Sequence, residues 1–328
     1  MKKSIKLIFF NLIIIFFIFA VIEIFLIFYD KNHLKYDHLL GWTLKENLKI
    51  KKTDKDLYGN KYKVEFTTNE NGIIQYGNSE DNEILVIGDS FSSDPYVSTD
   101  KMWYSILAKK LKSEDNLSLK VKAIGAGGYG TFQQYLLLKR IKEKVNPKLI
   151  ILQFCTNDLE NNYYEFESKV GSLSQFSRRP YYKNEEIFYS DLTISKLLRI
   201  KYIGQSRIIN KIIFLTSKNL RKKIISEEVK RESEYLTIFL LEKIRNVFPN
   251  KDFYIFNCNL DNIKLNEFAK KADFKFLYTV KQHLDYAKSK SLEIYYKDGG
   301  HYNELGNKII GDAIYDYFYY NSISNYFQ

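Results

Sequence analysis

The sequence predicts an α/β fold, a three-layer αβα sandwich around a parallel sheet, preceded by one transmembrane helix. Short apolar segments typical of buried strands alternate with longer segments in which apolar residues recur at helical spacing. One apolar run near the N-terminus is long enough to cross a bilayer. Because strands that alternate with helices form parallel sheets covered on both faces, the layered arrangement follows.

Most of the predicted elements follow residue 83. The predicted strands are residues 84–87, 119–124, 149–154, 253–256 and 292–295. The predicted helices are residues 102–111, 132–145, 234–247 and 303–319. Residues 159–250 interrupt this alternation and are too long for a simple connection. We interpret them as a helical insertion over the edge of the sheet, with helical stretches at 194–213 and 218–230.

Three regions are therefore expected. Residues 1–29 form a cytoplasmic tip and membrane anchor, residues 30–82 form a stalk with a short β element, and residues 83–328 form the domain that contains the insertion. A chain of 328 residues buries enough surface for a core without covalent staples.

The apolar run at residues 7–28 would span roughly 33 Å as a helix. A cleaved signal peptide is the alternative, but its apolar region is shorter and small residues follow it. Polar residues follow here, which favours an uncleaved anchor. Asn11 and Glu23 alone interrupt the run. Glu23 is the unusual residue, since an ionisable group in hydrocarbon is costly and often marks a partner, although its place near the outer end also allows contact with the interface.

Three lysines, Lys2, Lys3 and Lys6, precede the apolar run. Positive residues beside a membrane helix stay in the cytoplasm, so the chain from about residue 30 onward is expected in the periplasm or outside the cell.

The chain carries a net charge of +11, which could indicate nucleic acid, a membrane surface or an acidic polymer as partner. The lysines are spread along the sequence and lie near acidic residues, which argues against nucleic acid. The densest basic stretch, residues 221–223, is soon followed by Glu227 and Glu228. A solvated surface is the favoured interpretation, and a membrane or polyanion patch remains the alternative.

Ser90 follows the strand 84–87 in the sequence Gly88-Asp89-Ser90. A serine at the end of a strand, with a helix soon after it, presents its hydroxyl at the open edge of the sheet and its amide to a developing oxyanion. The same tripeptide also serves as an ordinary turn followed by a helix cap. Ser90 is therefore a candidate nucleophile that needs further support.

Asp298 and His301 lie in a turn after the last predicted strand. At this spacing the carboxylate can orient the imidazole and stabilise its protonated form. The alternative is that Asp298 caps the turn and His301 begins the helix. The other histidines, His33, His38 and His283, are expected at the surface.

Two further loops follow strands and offer hydrogen-bond donors. Residues 125–131 are rich in glycine and include Gly128, and Asn157 follows the strand 149–154. Backbone amides of the glycine loop and the side-chain amide of Asn157 can bind an oxyanion. The loop lacks the lysine of a phosphate-binding loop and a full dinucleotide fingerprint, so phosphate binding is disfavoured. A simple turn is the alternative for Asn157-Asp158.

These segments, in this order, resemble the SGNH (GDSL-type) hydrolase family over about residues 83–320. Four motif positions are matched by Ser90, Gly128, Asn157 and His301, and Asp298 completes a triad. The upstream segments at 41–42 and 71–72 resemble a bacterial subgroup with one N-terminal anchor. The chain departs from many relatives at Ala123 and in its insertion.

The resemblance implies a flavodoxin-like sheet and acyl transfer through a serine ester, without metal or cofactor. His301 would accept the proton of Ser90 and Asp298 would orient His301, while Gly128, Asn157 and the Ser90 amide would form the oxyanion hole. With water as acceptor the chain is an esterase, on O-acetyl or other acyl esters of envelope carbohydrates because of its outward placement. The alternatives are an O-acyltransferase on a surface polysaccharide, a lipase or lysophospholipase, and a non-catalytic glycan-binding protein.

The two cysteines, Cys155 and Cys258, lie at the ends of predicted strands. Buried free thiols are expected, and a disulfide is the alternative if the two strands are neighbours and the domain lies outside the cytoplasm.

Overall fold

A computed structural model describes residues 2–29, 32–171, 175, 177–216, 224–259, 264–323 and 327. The basic stretch at 221–223 and the first part of the helical stretch predicted at 218–230 lie outside the described residues.

The strands in the described residues are β1 (Leu34–Asp37), β2 (Gly41–Leu44), β3 (Lys49–Lys55), β4 (Lys61–Thr67), β5 (Ile74–Tyr76), β6 (Glu83–Gly88), β7 (Lys120–Gly125), β8 (Leu149–Phe154), β9 (Tyr181–Lys183), β10 (Glu186–Phe188), β11 (Asp252–Asn257) and β12 (Lys275–Phe276). The α-helices there are α1 (Lys2–Tyr29), α2 (Ser90–Ser93), α3 (Trp103–Asp115), α4 (Thr131–Ile141), α5 (Asn157–Asn162), α6 (Tyr164–Val170), α7 (Thr193–Leu198), α8 (Lys201–Gln205), α9 (Arg207–Thr216), α10 (Glu227–Arg245), α11 (Leu265–Lys271), α12 (Tyr278–Ser289) and α13 (Glu304–Tyr320).

The central sheet has the order β12-β11-β8-β6-β7-β5. Counted along the chain, its five parallel strands have the order 2-1-3-4-5, which is the flavodoxin-like order. The predicted α/β sandwich is confirmed. The sheet is mixed rather than purely parallel, because the edge strand β5 runs antiparallel to β7.

The prediction of a strand at residues 292–295 is wrong. Its last residue, Tyr295, takes part in an isolated β-bridge with Tyr302, and the residues before it are not in a strand. The edge of β11 is paired instead with β12, a two-residue strand too short to show a pattern in the sequence.

Helices cover both faces of the sheet. Ile84 and Val86 of β6 belong to one hydrophobic cluster, which includes residues of α3, α12 and α13. Leu85 and Ile87 belong to a second cluster, which includes residues of α4, α10 and α11. This alternation follows from the two-residue repeat of a strand, and it places one core on each side of β6.

The segment expected to be a stalk packs against the body of the domain. Its hairpins β1–β2 and β3–β4 contribute buried side chains to both clusters, with Leu44 and Phe66 in the first and Leu40 and Trp42 in the second. Burial of these large apolar side chains stabilises a packed arrangement over an extended stalk.

Residues Ile5–Ile27 of α1 form a helix long and apolar enough to cross a membrane, and none of this span is buried in the protein. A signal sequence near the N-terminus has the same length and composition.

Cys155 and Cys258 form a disulfide, so the expectation of free thiols was wrong. The two cysteines follow β8 and β11, which are parallel neighbours with Phe154 opposite Asn257. The next residue on each strand is therefore at bonding distance. The bond joins the two ends of the segment that contains the insertion.

Candidate active site

Ser90 lies at the carboxyl edge of the sheet, where parallel strands present their loops. It begins α2 directly after β6, and the neighbouring strands β7 and β8 lead into the loops of Gly128 and Asn157. Asp89 caps this short helix, since its carboxylate accepts a hydrogen bond from the Phe91 amide at 3.1 Å. The predicted nucleophile therefore lies in the middle of the edge, between the two predicted oxyanion loops.

The turn with Asp298 and His301, from the C-terminal part of the chain, lies at the same edge of the sheet, beside Ser90. His301 Nε2 lies 2.8 Å from Ser90 Oγ. His301 Nδ1 lies 2.6 Å from Asp298 Oδ2. A hydroxyl, an imidazole and a carboxylate in this order can activate the hydroxyl as a nucleophile.

The turn also holds Asp298 by its own backbone. The other carboxylate oxygen accepts hydrogen bonds from the amides of Gly300 and His301 at 2.9 and 3.0 Å. Partial burial would raise the pKa of Asp298, but these amides and the His301 ring outweigh it and lower the pKa below its ordinary value. The group is a carboxylate at neutral pH, so it can stabilise a protonated imidazole. Capping of the turn and pairing with histidine, posed as alternatives, occur together.

Two aromatic rings orient the imidazole. Tyr96 stacks on His301 with ring centroids 4.0 Å apart, and Phe91 lies on it at 4.9 Å. Sequence reasoning missed Tyr96, and no local pattern indicates it, because the stacking joins residues more than two hundred positions apart.

A buried polar network lies behind Ser90. Gln153 Oε1 accepts hydrogen bonds from the Asp89 amide and the Ser92 hydroxyl, and its Nε2 donates to Asp89 Oδ1. Trp103 Nε1 donates to Ser92 Oγ at 3.1 Å. Burial raises the pKa of Asp89 to about 6, although the Phe91 amide and Gln153 oppose this change. Gln153 was missed in the sequence, where it is the one polar residue of an apolar strand.

The glycine loop is held through its carbonyl groups. Trp42 Nε1 donates to the Gly127 carbonyl at 2.9 Å, and Arg179 Nη1 donates to the Gly128 carbonyl at 2.8 Å. In a trans peptide the carbonyl and the following N–H point in opposite directions. The bond from Trp42 therefore directs the Gly128 amide away from the indole.

Arg179 comes from the insertion and is buried with an acidic partner. Its Nε lies 2.6 Å from Glu167 Oε2, both side chains are 1% exposed, and the Tyr181 hydroxyl donates to the same carboxylate at 2.7 Å. This part of the insertion therefore supports the glycine loop from within the fold.

Asn157 is the first residue of α5 and is half-buried beside the carboxyl end of β8. The next residue, Asp158, is fully buried, and burial followed by the charge of Asp89 raises its pKa well above the ordinary value.

His33 was expected at the surface, and this was wrong. Its Nε2 lies 3.0 Å from Asp94 Oδ1, and its side chain is 20% exposed. Asp94 lies so close to the glycine loop that a Cβ on Gly127 would be 2.6 Å from Asp94 Oδ2. The first described residues after the apolar helix thus contact the edge that carries Ser90.

A pocket of about 260 Å³ lies beside the turn that carries Asp298 and His301. Tyr62, Tyr295, Tyr296 and Lys297 contribute to its lining. The Tyr296 ring also packs against Tyr96, which stacks on the imidazole, with ring centroids 5.0 Å apart. The pocket therefore adjoins the histidine side of the site.

The α/β fold and the contacts at its edge are those of a serine hydrolase. A family model described as GDSL-like lipase/acylhydrolase matches residues 84–314. The chain belongs to the GDSL-like lipase/acylhydrolase family.

Solved structures with a similar fold include a lipase/acylhydrolase from Enterococcus faecalis, TesA, and the acetyl xylan esterase Est2A from Butyrivibrio proteoclasticus. The first is 12% identical, with 73% of this chain and 96% of that chain covered and a TM-score of 0.42. TesA is 11% identical, with 72% and 98% covered and a TM-score of 0.42. Est2A is 14% identical, with 75% and 66% covered and a TM-score of 0.39. No curated protein matches the chain. Likeness at this level identifies no substrate.

Proposed function

We propose that the chain is a membrane-anchored esterase that removes short acyl groups, chiefly acetyl, from envelope glycans. Ser90 is the nucleophile, His301 the general base and Asp298 the group that orients it. The contact of 2.8 Å between His301 Nε2 and Ser90 Oγ carries this proposal, because it gives the hydroxyl a proton acceptor.

In the first half of the reaction, Ser90 Oγ attacks the ester carbonyl and its proton passes to His301 Nε2. Asp298 stabilises the imidazolium through the Nδ1–H. The carbonyl oxygen becomes an oxyanion, which binds the amides of Ser90 and Gly128 and the side-chain amide of Asn157. The ester C–O bond then breaks, and the leaving alcohol takes the proton from His301.

In the second half, water attacks the acyl-serine. His301 accepts a proton from the water and returns it to Ser90 Oγ as the acid is released. Both halves use the same groups, so no metal or cofactor takes part in the proposed steps.

The pocket beside His301 supports a small substrate. Its volume of about 260 Å³ is below the range of roughly 300 to 1,000 Å³ that drug-sized ligands occupy. Tyrosine rings, Lys297 and Asn303 in the lining suit a sugar ring, which offers both an apolar face and hydroxyl groups.

Two observations support a location outside the cytoplasm. Disulfides persist in oxidising compartments, and Cys155–Cys258 is such a bond. The lysines at the start of α1, Lys2, Lys3 and Lys6, agree with a cytoplasmic N-terminus. Envelope esters are the substrates within reach of an anchored enzyme with this topology.

The test uses the full-length protein in detergent with p-nitrophenyl esters of increasing chain length and an acetylated oligosaccharide. We expect hydrolysis of acetyl esters, labelling by a fluorophosphonate, and loss of both in Ser90→Ala. Ser113→Ala, at an exposed helical serine, is the matched control and should retain both. Activity that survives Ser90→Ala would refute the mechanism, and preference for long acyl chains would refute the substrate. If a sugar added to the assay becomes acylated, the reaction is transfer instead of hydrolysis.

A further inference from the structure

Glu23, the acidic residue within the apolar helix α1, contacts the insertion. Its carboxylate accepts hydrogen bonds from Ser206 Oγ at 3.0 Å and from the amides of Arg207 and Ile208 at 2.5 and 3.1 Å. These groups lie at the N-terminus of α9, where backbone amides lack partners within the helix. Glu23 therefore caps α9 and ties it to α1.

This contact sets the depth of α9 relative to the apolar span. Glu23 lies four residues before Ile27, where the span ends, which corresponds to about 6 Å along a helix. Amphipathic helices that lie on membranes bury their apolar face roughly 5 to 10 Å into the boundary between headgroups and acyl chains. If α1 spans the bilayer, the start of α9 lies in this zone.

The helices α7–α9, residues 193–216, form a surface that we call the platform. Ile212 and Leu215, three residues apart on one face of α9, are 51% and 59% exposed. Ile200 and Tyr202, in the preceding part of the platform, are 50% and 80% exposed. Large apolar side chains of this exposure, close to an apolar span, are typical of a membrane contact.

The charge of the platform has one sign. Residues 193–216 contain five basic residues and no acidic residue, and one of them, Lys196, lies 3.9 Å from Asp191, two residues before the platform. These residues are Lys196, Arg199, Lys201, Arg207 and Lys211. Apolar side chains combined with basic ones match a bilayer surface that contains anionic lipid.

The platform is also attached to the body of the domain. The Tyr36 hydroxyl donates to the Arg199 carbonyl at 2.9 Å, and Arg178 donates to Asn210 Oδ1. Arg178 precedes Arg179, which holds the Gly128 carbonyl. Contacts therefore lead continuously from the apolar helix, through the platform, to the glycine loop.

We propose that the platform lies on the outer leaflet, binds anionic lipid headgroups, and sets the tilt at which the Ser90 edge faces the membrane. This inference rests on the proposed anchoring by α1. His33, which contacts Asp94 at that edge, is six residues beyond Ile27 and therefore at most about 20 Å from the end of the span. The enzyme would act on esters held close to the bilayer surface.

The experiment places an environment-sensitive fluorophore on Leu215→Cys in the full-length protein, reconstituted in phosphatidylcholine vesicles with or without phosphatidylglycerol. Ser113→Cys is the matched exposed control. We expect brominated lipid to quench roughly half of the fluorescence at position 215 and little at position 113. No quenching at 215 would overturn the proposal, as would shielding of 215 by a second copy of the chain, detected by crosslinking.

A second arm tests the charge. Each basic residue near an anionic surface contributes about 1 kcal/mol, or roughly a fivefold change in the ratio of docked to undocked protein. The double variant Lys201→Gln/Lys211→Gln should therefore lose the extra quenching caused by phosphatidylglycerol. If the double variant keeps the extra quenching caused by phosphatidylglycerol, the proposed binding of anionic headgroups is refuted.

The anchor is tested separately by alkaline carbonate extraction of the membranes. Release of the whole chain would refute the anchoring in the proposed function. Retention of the chain without quenching at 215 would refute the platform alone.

Discussion

The two sides of the candidate active site are built differently. Ser90 follows a buried strand, and residues distant in sequence, among them Gln153, Trp42 and Arg179, hold the turn and loop around it. Asp298 and His301 lie in a partly exposed turn that is held mainly by its own backbone amides. The Ser90 side is held by residues distant in sequence. On the other side the Asp298 carboxylate is held within its own turn, while the distant rings of Tyr96 and Phe91 pack on His301. Substitutions of Asp298 and of residues on the Ser90 side should therefore separate activity from stability.

The largest effect is expected for Asp298→Asn. The amide oxygen of asparagine can still accept from the Gly300 and His301 amides, so the turn and the stability should be retained. The side chain can no longer accept from Nδ1–H as a carboxylate, and kcat/KM for an acetyl ester should fall about 10⁴-fold. Steady-state kinetics and thermal denaturation measure the two effects. A comparable loss of stability would show that this side is not locally built.

The disulfide joins the two sides. Cys155 lies two residues before Asn157, and the Cys258 carbonyl accepts from the hydroxyl of Tyr302, the neighbour of His301. Removal of a bond that closes a loop of about 100 residues lowers the free energy of unfolding by about 4 kcal/mol. We expect this loss in Cys155→Ser/Cys258→Ser, measured by urea denaturation in detergent. A reductant should lower the unfolding free energy of the wild type by the same amount and leave the double variant unchanged. A different loss in the wild type would contradict the assignment of a Cys155–Cys258 disulfide.

The buried Asp89 should make the stability of the Ser90 side sensitive to pH. Its pKa is raised from 3.8 to about 6, so the folded protein keeps this proton to a higher pH than the unfolded chain does. The free energy of unfolding should therefore fall as the pH rises from about 4 to about 6, by about 3 kcal/mol. Asp89→Asn removes the titrating group but keeps the acceptor oxygen. The difference in unfolding free energy between variant and wild type, measured at both ends of this range, should grow with pH; a constant difference would exclude a titrating Asp89.

The smallest effect is expected for Trp42→Phe. The phenyl ring preserves most of the packing but cannot donate to the Gly127 carbonyl, so the Gly128 amide is less firmly directed. We expect kcat to fall about tenfold with little change in KM, less than the loss from removing an oxyanion donor itself. Tyr129→Phe is the control, since its hydroxyl donates to the Trp42 carbonyl and has no bond to Gly127. An equal fall in kcat for both variants would indicate general loosening of the cluster.

The main helices and strands could be predicted from the sequence, and so could the proximity of Ser90, Asp298 and His301. Each of these residues lies near a strand end in an alternating pattern, and the carboxyl ends of parallel strands meet at one edge. Their catalytic roles remain predictions. Strands β5 and β12 could not be predicted, because an edge strand of two or three residues shows no period.

The pairing of Cys155 with Cys258 and the stacking of Tyr96 on His301 were also beyond the sequence. Both depend on which strands and loops are neighbours, and strand order is decided by the packing of the whole domain.

By itself the sequence determined the periodic features: the apolar span, the buried strands, and the polar turns that follow them. Those features arise from neighbours within a few positions, which share a helix face or a strand face. Only the tertiary structure decided that Trp42 directs the glycine loop, that Arg179 supports it, and that Glu23 caps α9. These contacts join distant segments, and they form only after the layers pack together.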